Sequence, residues 1–222
     1  MTKSQLHRAM APEDKTERRG AIVRAAEELL LRSPAGAFSV EMLSRRAGLA
    51  KGTVYLYFRT REEVLLAVHH ARLQRLFDVL EHTLAAPDAD ARSAARATLR
   101  FLRANREFLP LATTCRGMLE ANVGTEAALD FKLATGQRLA QIGARIEALY
   151  PKALSPGEGF ALLMDSYALI IGLWQIVDPP ACLRGAMRRP EMRMFQIDYE
   201  RQLERALLAL WDGATGRRGG QP

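Results

Sequence analysis

Between Phe38 and Glu63 the chain gathers side chains suited to gripping a polyanion. Lys51 offers a cation, Thr53 a short hydroxyl, and Tyr55 and Tyr57 long flat rings that end in hydroxyls. On one helix these groups suit phosphate contacts and base edges in a major groove. Gly52, beside them, lets a backbone amide approach a phosphate, and a helix N-terminus favours that anion. A glycine near the start of a short helix weakens it, which argues that bare backbone is needed there. Taken singly, the groups have plainer readings: the tyrosines as core edges, Lys51 as a solvated lysine, Gly52 as a weak spot. Their conjunction favours a nucleic-acid face.

Such a face needs a scaffold. Val54 and Phe58 are four residues apart and share a helix side. With Leu43 and Leu49 they supply an apolar underside. The spacing predicts two short helices, Val40 to Ala47 and about Ala50 to Tyr57, joined by Ala47-Gly48-Leu49 as in a helix-turn-helix. Gly48 suits a left-handed turn. Ser39 is placed to cap the first of these helices, with Phe38 packing just before it. A helix predicted over Thr16 to Arg32 precedes them, with Ile22, Ala26, Leu29 and Leu30 on one stripe, and Ser33-Pro34-Ala35-Gly36 ends it. Thr60-Arg61-Glu62-Glu63 has the form of a capping box and opens a long helix to about Leu84.

Helical patterns continue to the end, and alternating strand patterns are missing, so the expected fold is all-α. The later helices are predicted at Asp88 to Asn105, a broken Arg106 to Met118, and Thr125 to Tyr150. Two more follow, from Ser155-Pro156-Gly157-Glu158 to Val177 and from Glu191 to Trp211, stopping at Gly213. Phe160 to Val177 approaches the length of a membrane span. Asp165, Ser166 and Gln175 interrupt it, so an interior or interface helix is expected and no membrane partner. The expected organisation is an arm at 1–15, a helix-turn-helix domain at 16–60, a regulatory and dimerisation domain at 61–212, and a tail at 213–222.

Composition agrees with a globular helical protein. Of 222 residues, 48% are hydrophobic and 26% charged, too apolar for disorder. The net charge is +7, and Met1 to Thr60 holds 11 Lys+Arg against 6 Asp+Glu, most of the excess. A basic N-terminal quarter suggests a polyanion, nucleic acid before a membrane surface, with a solvated basic face as the alternative. Cys115 and Cys182 alone fit a reducing, cytoplasmic compartment, and the polar stretch Met1 to Arg19 does not read as a signal peptide. Nothing points to an enzyme. No His-Glu-x-x-His, phosphate loop or dinucleotide glycine fingerprint appears. His69 and His70 are adjacent and diverge on a helix, a poor metal pair. No catalytic residue, metal or cofactor is expected.

These residues carry a family resemblance. Phe38-Ser39-Val40, then Arg45-Arg46-Ala47-Gly48-Leu49-Ala50-Lys51-Gly52-Thr53-Val54-Tyr55-Leu56-Tyr57-Phe58, then Arg61-Glu62-Glu63-Val64-Leu65, resembles the DNA-binding domain of TetR-family transcriptional regulators. Ile22, Ala25, Ala26, Leu29 and Leu30 match its first helix, and the likeness covers about residues 18–66. Arg61 stands where many members carry Lys. The resemblance implies a homodimer reading a near-palindromic DNA operator, commonly as a repressor. By position, Ser39 would cap the second helix near a phosphate, and Arg45 and Arg46 would reach the backbone. Lys51, Gly52, Thr53, Tyr55 and Tyr57 would contact DNA from the recognition helix, and Arg61 would meet a phosphate. Leu56 either touches a thymine methyl or packs. A non-specific DNA-binding protein, or a regulator without a ligand, is the competing reading.

The resemblance also implies a small-molecule effector held in the second domain. Its candidate lining is Phe77, Phe101, Phe108, Met118, Phe131, Met164, Tyr167 and Trp174, with Asp165 as an orienting charge; each apolar member also reads as ordinary core. The last two long helices carry more apolar surface than one layer can hide. Leu162, Leu169, Ile170, Leu173, Leu203, Leu207 and Trp211 are therefore expected in a four-helix dimer interface.

Overall fold

The computed structural model describes residues 12–32, 38–115, 122–180 and 182–216. Every regular element among them is helical: α1 (Pro12–Arg32), α2 (Val40–Ala47), α3 (Lys51–Tyr57), α4 (Arg61–Leu84), α5 (Ala91–Ala104), α6 (Phe108–Thr114), α7 (Thr125–Leu149), α8 (Glu158–Val177) and α9 (Tyr199–Thr215). Two 3-10 segments, Ala186–Arg188 and Pro190–Phe195, precede α9.

Local chemistry sets most boundaries. Ser39 is extended, and its hydroxyl accepts the Met42 N–H at 3.1 Å, starting α2. Gly48 ends α2 at φ 67°, a conformation that a side chain would strain. Thr60 Oγ1 accepts the Glu63 N–H at 3.1 Å; the return bond from Glu63 reaches one residue further back, taking the Arg59 N–H at 2.7 Å. Asp90 and Ser93 form the reciprocal box of α5. Pro110 falls in the first turn of α6, where no intrahelical donor is lost.

Several expected boundaries shift, and α5 starts at Ala91 rather than Asp88. α1 starts at Pro12, so residues 12–15 of the expected arm are helical, while 1–11 and 217–222 lie outside the described residues. α8 starts after Gly157, not Ser155, and its exposed amides are capped from α7: Glu147 Oε1 accepts from Gly157 and Gly159 at 2.8 and 2.9 Å. α9 starts at Tyr199, not Glu191. Pro190 opens a 3-10 segment instead, Asp198 caps α9 through the Arg201 N–H at 3.2 Å, and the helix passes Gly213 to stop at Gly216 (φ 71°).

Packing forms two apolar cores. The head core joins Ile22, Ala26 and Leu30 of α1 with Leu43, Val54 and Phe58, and takes Val64, Leu65, Ala67 and Val68 from α4. The head therefore extends past Thr60 into the helix expected to open the second domain. The body core holds the rest of α4, from Leu73 to Leu84, with α5, α7, α8 and α9. α6 serves both: Leu111 and Cys115 join the head core, Phe108, Leu109 and Ala112 the body core.

α7 and α8 meet through two glycines. A Cβ on Gly143 would lie 2.6 Å from the Phe160 nitrogen, and one on Gly159 would lie 2.2 Å from the Gly143 carbonyl oxygen. Both clashes are with backbone, which cannot yield without parting the helices. We expect Gly143→Ala to destabilise the fold by about 2 kcal/mol or more, read as a lower urea midpoint with an unchanged m-value.

Candidate nucleic-acid interface

α3 is seven residues long and lies on the head core through one side. Val54 and Phe58 are 1% and 3% exposed and anchor it. On the opposite side Lys51 and Gly52 are exposed, Tyr55 is 46% exposed and Leu56 79%. A Cβ on Gly52 would meet nothing within 4 Å, so that backbone faces open space. Thr53 is half-buried at the strip's edge. Leu56 packs on no core, which removes the packing alternative for it.

The flanking groups behave differently from one another. Tyr57 departs from expectation: its ring packs on the head core, and its hydroxyl is buried with no hydrogen-bond partner among the described residues. The reason is helix geometry, since residue 57 falls beside the buried Val54 and Phe58 rather than over Tyr55. Arg46 is held by Glu28 of α1 and so braces α2 against α1. Arg45 pairs with Glu41 at 2.7 Å, both well exposed, a contact weak enough to be exchanged for a phosphate. Arg61 sits with its guanidinium carbon 5.3 Å over the Phe38 ring, at the start of α4.

Behind the head, at the junction with the body, Arg72 of α4 is 2% exposed. It pairs with Glu107, the residue preceding α6, and its Nε lies 3.6 Å from Glu27 Oε1 on α1. Arg75 also holds Glu27, at 2.9 Å.

The body holds a partly open cavity of about 290 Å³, lined mainly by apolar side chains of α4, α5, α7, α8 and α9. Of the expected lining, Phe77, Phe131, Met164 and Tyr167 are present. Phe101 and Phe108 are not; they stack edge-on to each other at 5.5 Å, buried in the core. Trp174 is drawn away by Tyr199, at 5.5 Å, and Asp165 points outward and is exposed. Met118 lies outside the described residues. The wall also holds His69, Thr98, Cys115, Thr135, Ser166 and Trp211. His69 was legible: it sits four residues from both Leu65 and Leu73, on the stripe α4 buries.

The dimer expectation needs a larger correction. Leu162, Ile170, Leu203, Leu207 and Trp211 are buried within one chain, because α5 and α7 already cover those faces of α8 and α9. Trp211 also donates its indole N–H to Ser166 Oγ at 3.0 Å. Leu169 and Leu173 are half-buried against the same core. Ala161, Met164, Asp165, Ala168, Gln175 and Ile176 instead form the exposed stripe of α8 at helical spacing. α8 is long and apolar enough to cross a membrane, but its inner face packs on α7 and α9.

A helix-turn-helix head with an exposed recognition face, carried on a helical body, is the build of a DNA-binding regulator. Residues 22–68 match the family described as bacterial regulatory proteins, tetR family, and residues 70–218 match the tetracyclin repressor-like C-terminal domain. The chain belongs to the TetR family of transcriptional regulators, a non-enzymatic DNA-binding class. Its fold is similar to that of a possible TetR family transcriptional regulator from Streptomyces coelicolor A3(2), at 19% identity and TM-score 0.59 over 90% of this chain and 100% of that one. It is also similar to a TetR family transcription regulator from Marinobacter aquaeolei VT8, at 19% identity and TM-score 0.52 over 91% and 97%. No curated protein matches the chain.

Burial, with the neighbouring charges of His70 and Arg72, lowers the His69 pKa from 6.5 to about 4. The unfolded chain therefore takes up this proton first as pH falls. The stability that a neutral His69 contributes is complete above about pH 6.5 and is lost on the way down to pH 4. We expect that loss to reach about 3 kcal/mol and to be largely absent in His69→Asn, as read by urea denaturation across this pH range.

Proposed function

We propose that this regulator is a sequence-specific, ligand-controlled repressor that binds a near-palindromic operator as a homodimer. The observation that carries the reading is the exposed strip of α3: Lys51, Gly52, Tyr55 and Leu56 stand clear above buried Val54 and Phe58. A cation and a bare backbone suit phosphates, a tyrosine hydroxyl suits a base edge, and an exposed leucine suits a thymine methyl. Thr53 supports the strip from its edge. Ser39, Arg45 and Arg61 flank it, while Arg46 and Tyr57 hold the head together. A dimer seated on an operator excludes competing proteins from that DNA, and repression is the simplest output.

The mate would cover the outward stripe of α8. Ala161, Ala168 and the half-buried Gly172 are small, which allows close helix approach, and Met164 and Ile176 supply apolar area around them. Two recognition helices then meet two half-sites about one helical turn apart. The cavity is the effector site. α4 joins it to the head, because His69 lines the cavity one turn before Arg72, which pairs with Glu27 of α1. DNA and effector affinities are then reciprocally linked.

Sequences selected from a random DNA pool should converge on an inverted repeat. Against that operator, Lys51→Ala should weaken binding about tenfold and flatten the salt dependence by about one unit of slope. Tyr55→Ala should also weaken it, and Tyr57→Phe should leave it unchanged. A pool that stays random, or full affinity in both Lys51→Ala and Tyr55→Ala, contradicts the reading. Ala168→Glu, which puts a carboxylate on the stripe, should convert a sedimenting dimer into a folded monomer with weakened operator binding.

A further inference from the structure

Among the described residues the cavity wall is apolar and aromatic except at a few points, and most of those are already satisfied. Thr98 Oγ1 donates to the Ala94 carbonyl at 3.0 Å, and Ser166 Oγ donates to Leu162 while accepting from Trp211. Two lining side chains differ. His69 on α4 and Thr135 on α7 each carry a buried polar atom, Nδ1 and Oγ1, with no hydrogen-bond partner among the described residues. Burying such an atom unpaired is costly, and an apolar residue of similar shape would avoid that cost. The rings of Phe108 and Phe131 stand 5.6 and 6.0 Å from the His69 ring.

Resting on the proposed reading of this cavity as the effector site, we propose that its ligand is an uncharged, ring-sized apolar molecule carrying a hydroxyl group, held by His69 and Thr135. A hydroxyl both donates and accepts. It can donate to an imidazole nitrogen and accept from a threonine, each reached by a ring flip or a rotamer turn. Aromatic side chains of Phe77, Phe131, Tyr167 and Trp211 supply the apolar contact. The volume, about 290 Å³, lies at the small end of ligand sites, which favours one or two rings over a drug-sized molecule. An anion fits poorly. His69 stays uncharged at neutral pH, and Lys132, the one cation among the described wall residues, is exposed. Among the described residues a buried carboxylate would therefore lack a desolvated countercharge.

Three probes with one ring system separate the cases: naphthalene, 2-naphthol and 2-naphthoate, titrated calorimetrically into the full-length protein at pH 7. We expect 2-naphthol to bind at least tenfold more tightly than either of the others. Thr135→Val, nearly isosteric, should lower 2-naphthol affinity about tenfold while raising the melting temperature of the unliganded protein, because it deletes an unpaired hydroxyl. A purely structural Thr135 would not give those opposite signs. His69→Phe should give the same affinity loss, so the test survives if one variant fails to fold. Equal binding of all three probes, preference for 2-naphthoate, no binding of any, or unchanged 2-naphthol affinity in both variants overturns the proposal. Operator release is scored separately: tight, His69- and Thr135-dependent 2-naphthol binding that leaves operator affinity unchanged supports the ligand class and refutes effector control.

Discussion

Helix α4 belongs to two cores at once, and a buried guanidinium sits where they meet. A charge as enclosed as that of Arg72 is tolerable only with carboxylates against it. Those carboxylates come from opposite sides, Glu27 on α1 of the head and Glu107 at the start of α6 in the body. The contacts are unequal. Glu107 is in direct contact, whereas the approach of Arg72 Nε to Glu27 Oε1, at 3.6 Å, exceeds a hydrogen bond, and Glu27 is drawn instead to Arg75 at 2.9 Å. A head that tilts against the body must therefore rearrange these pairs, and any change in the pairs bears on head orientation.

The apolar packing repeats this arrangement. α6 gives Leu111 and Cys115 to the head and Phe108 and Ala112 to the body, and Cys115 also faces the cavity. Head, cavity and junction thus share α4 and α6. In contrast, α7 and α8 are locked by backbone contact at Gly143 and Gly159, and Glu147 of α7 caps α8. The body offers a stiff wall on one side of the cavity and, on the other, the two helices that carry the head. On the proposed reading, a ligand that changes the spacing across the cavity acts on the α4 and α6 side.

The head was largely legible in the sequence because its signals are local. A serine cap, a left-handed glycine and a Val54–Phe58 pair each act within a few residues, and α2 and α4 begin where those signals place them. Tyr57 shows the limit: side-chain type suggests a DNA contact, and only the assembled head core reveals that its hydroxyl is enclosed. The body was less legible for the same reason. Which face of α8 or α9 lies inward depends on α5 and α7, many residues away, so buried Leu203 and Leu207 looked identical to interface residues. Its neighbour His70 makes His69 look like half of an unsuitable metal pair, although its place on the buried stripe of α4 points to an interior role. Pro190 and Asp198 offer competing starts for α9, and the capped site prevails.

On the proposed reading the open side of α3 enters a major groove. Photocrosslinking tests it directly on the unmodified protein, using a selected operator in which thymines are replaced one at a time by 5-iodouracil, whose iodine projects into that groove. Peptide mass spectrometry then locates the adduct. We expect crosslinks at positions in both half-sites that map to the segment Lys51 to Phe58, with Tyr55 as the modified residue. Crosslinks confined to other helices, with α3 unmodified at every substituted position, would contradict it.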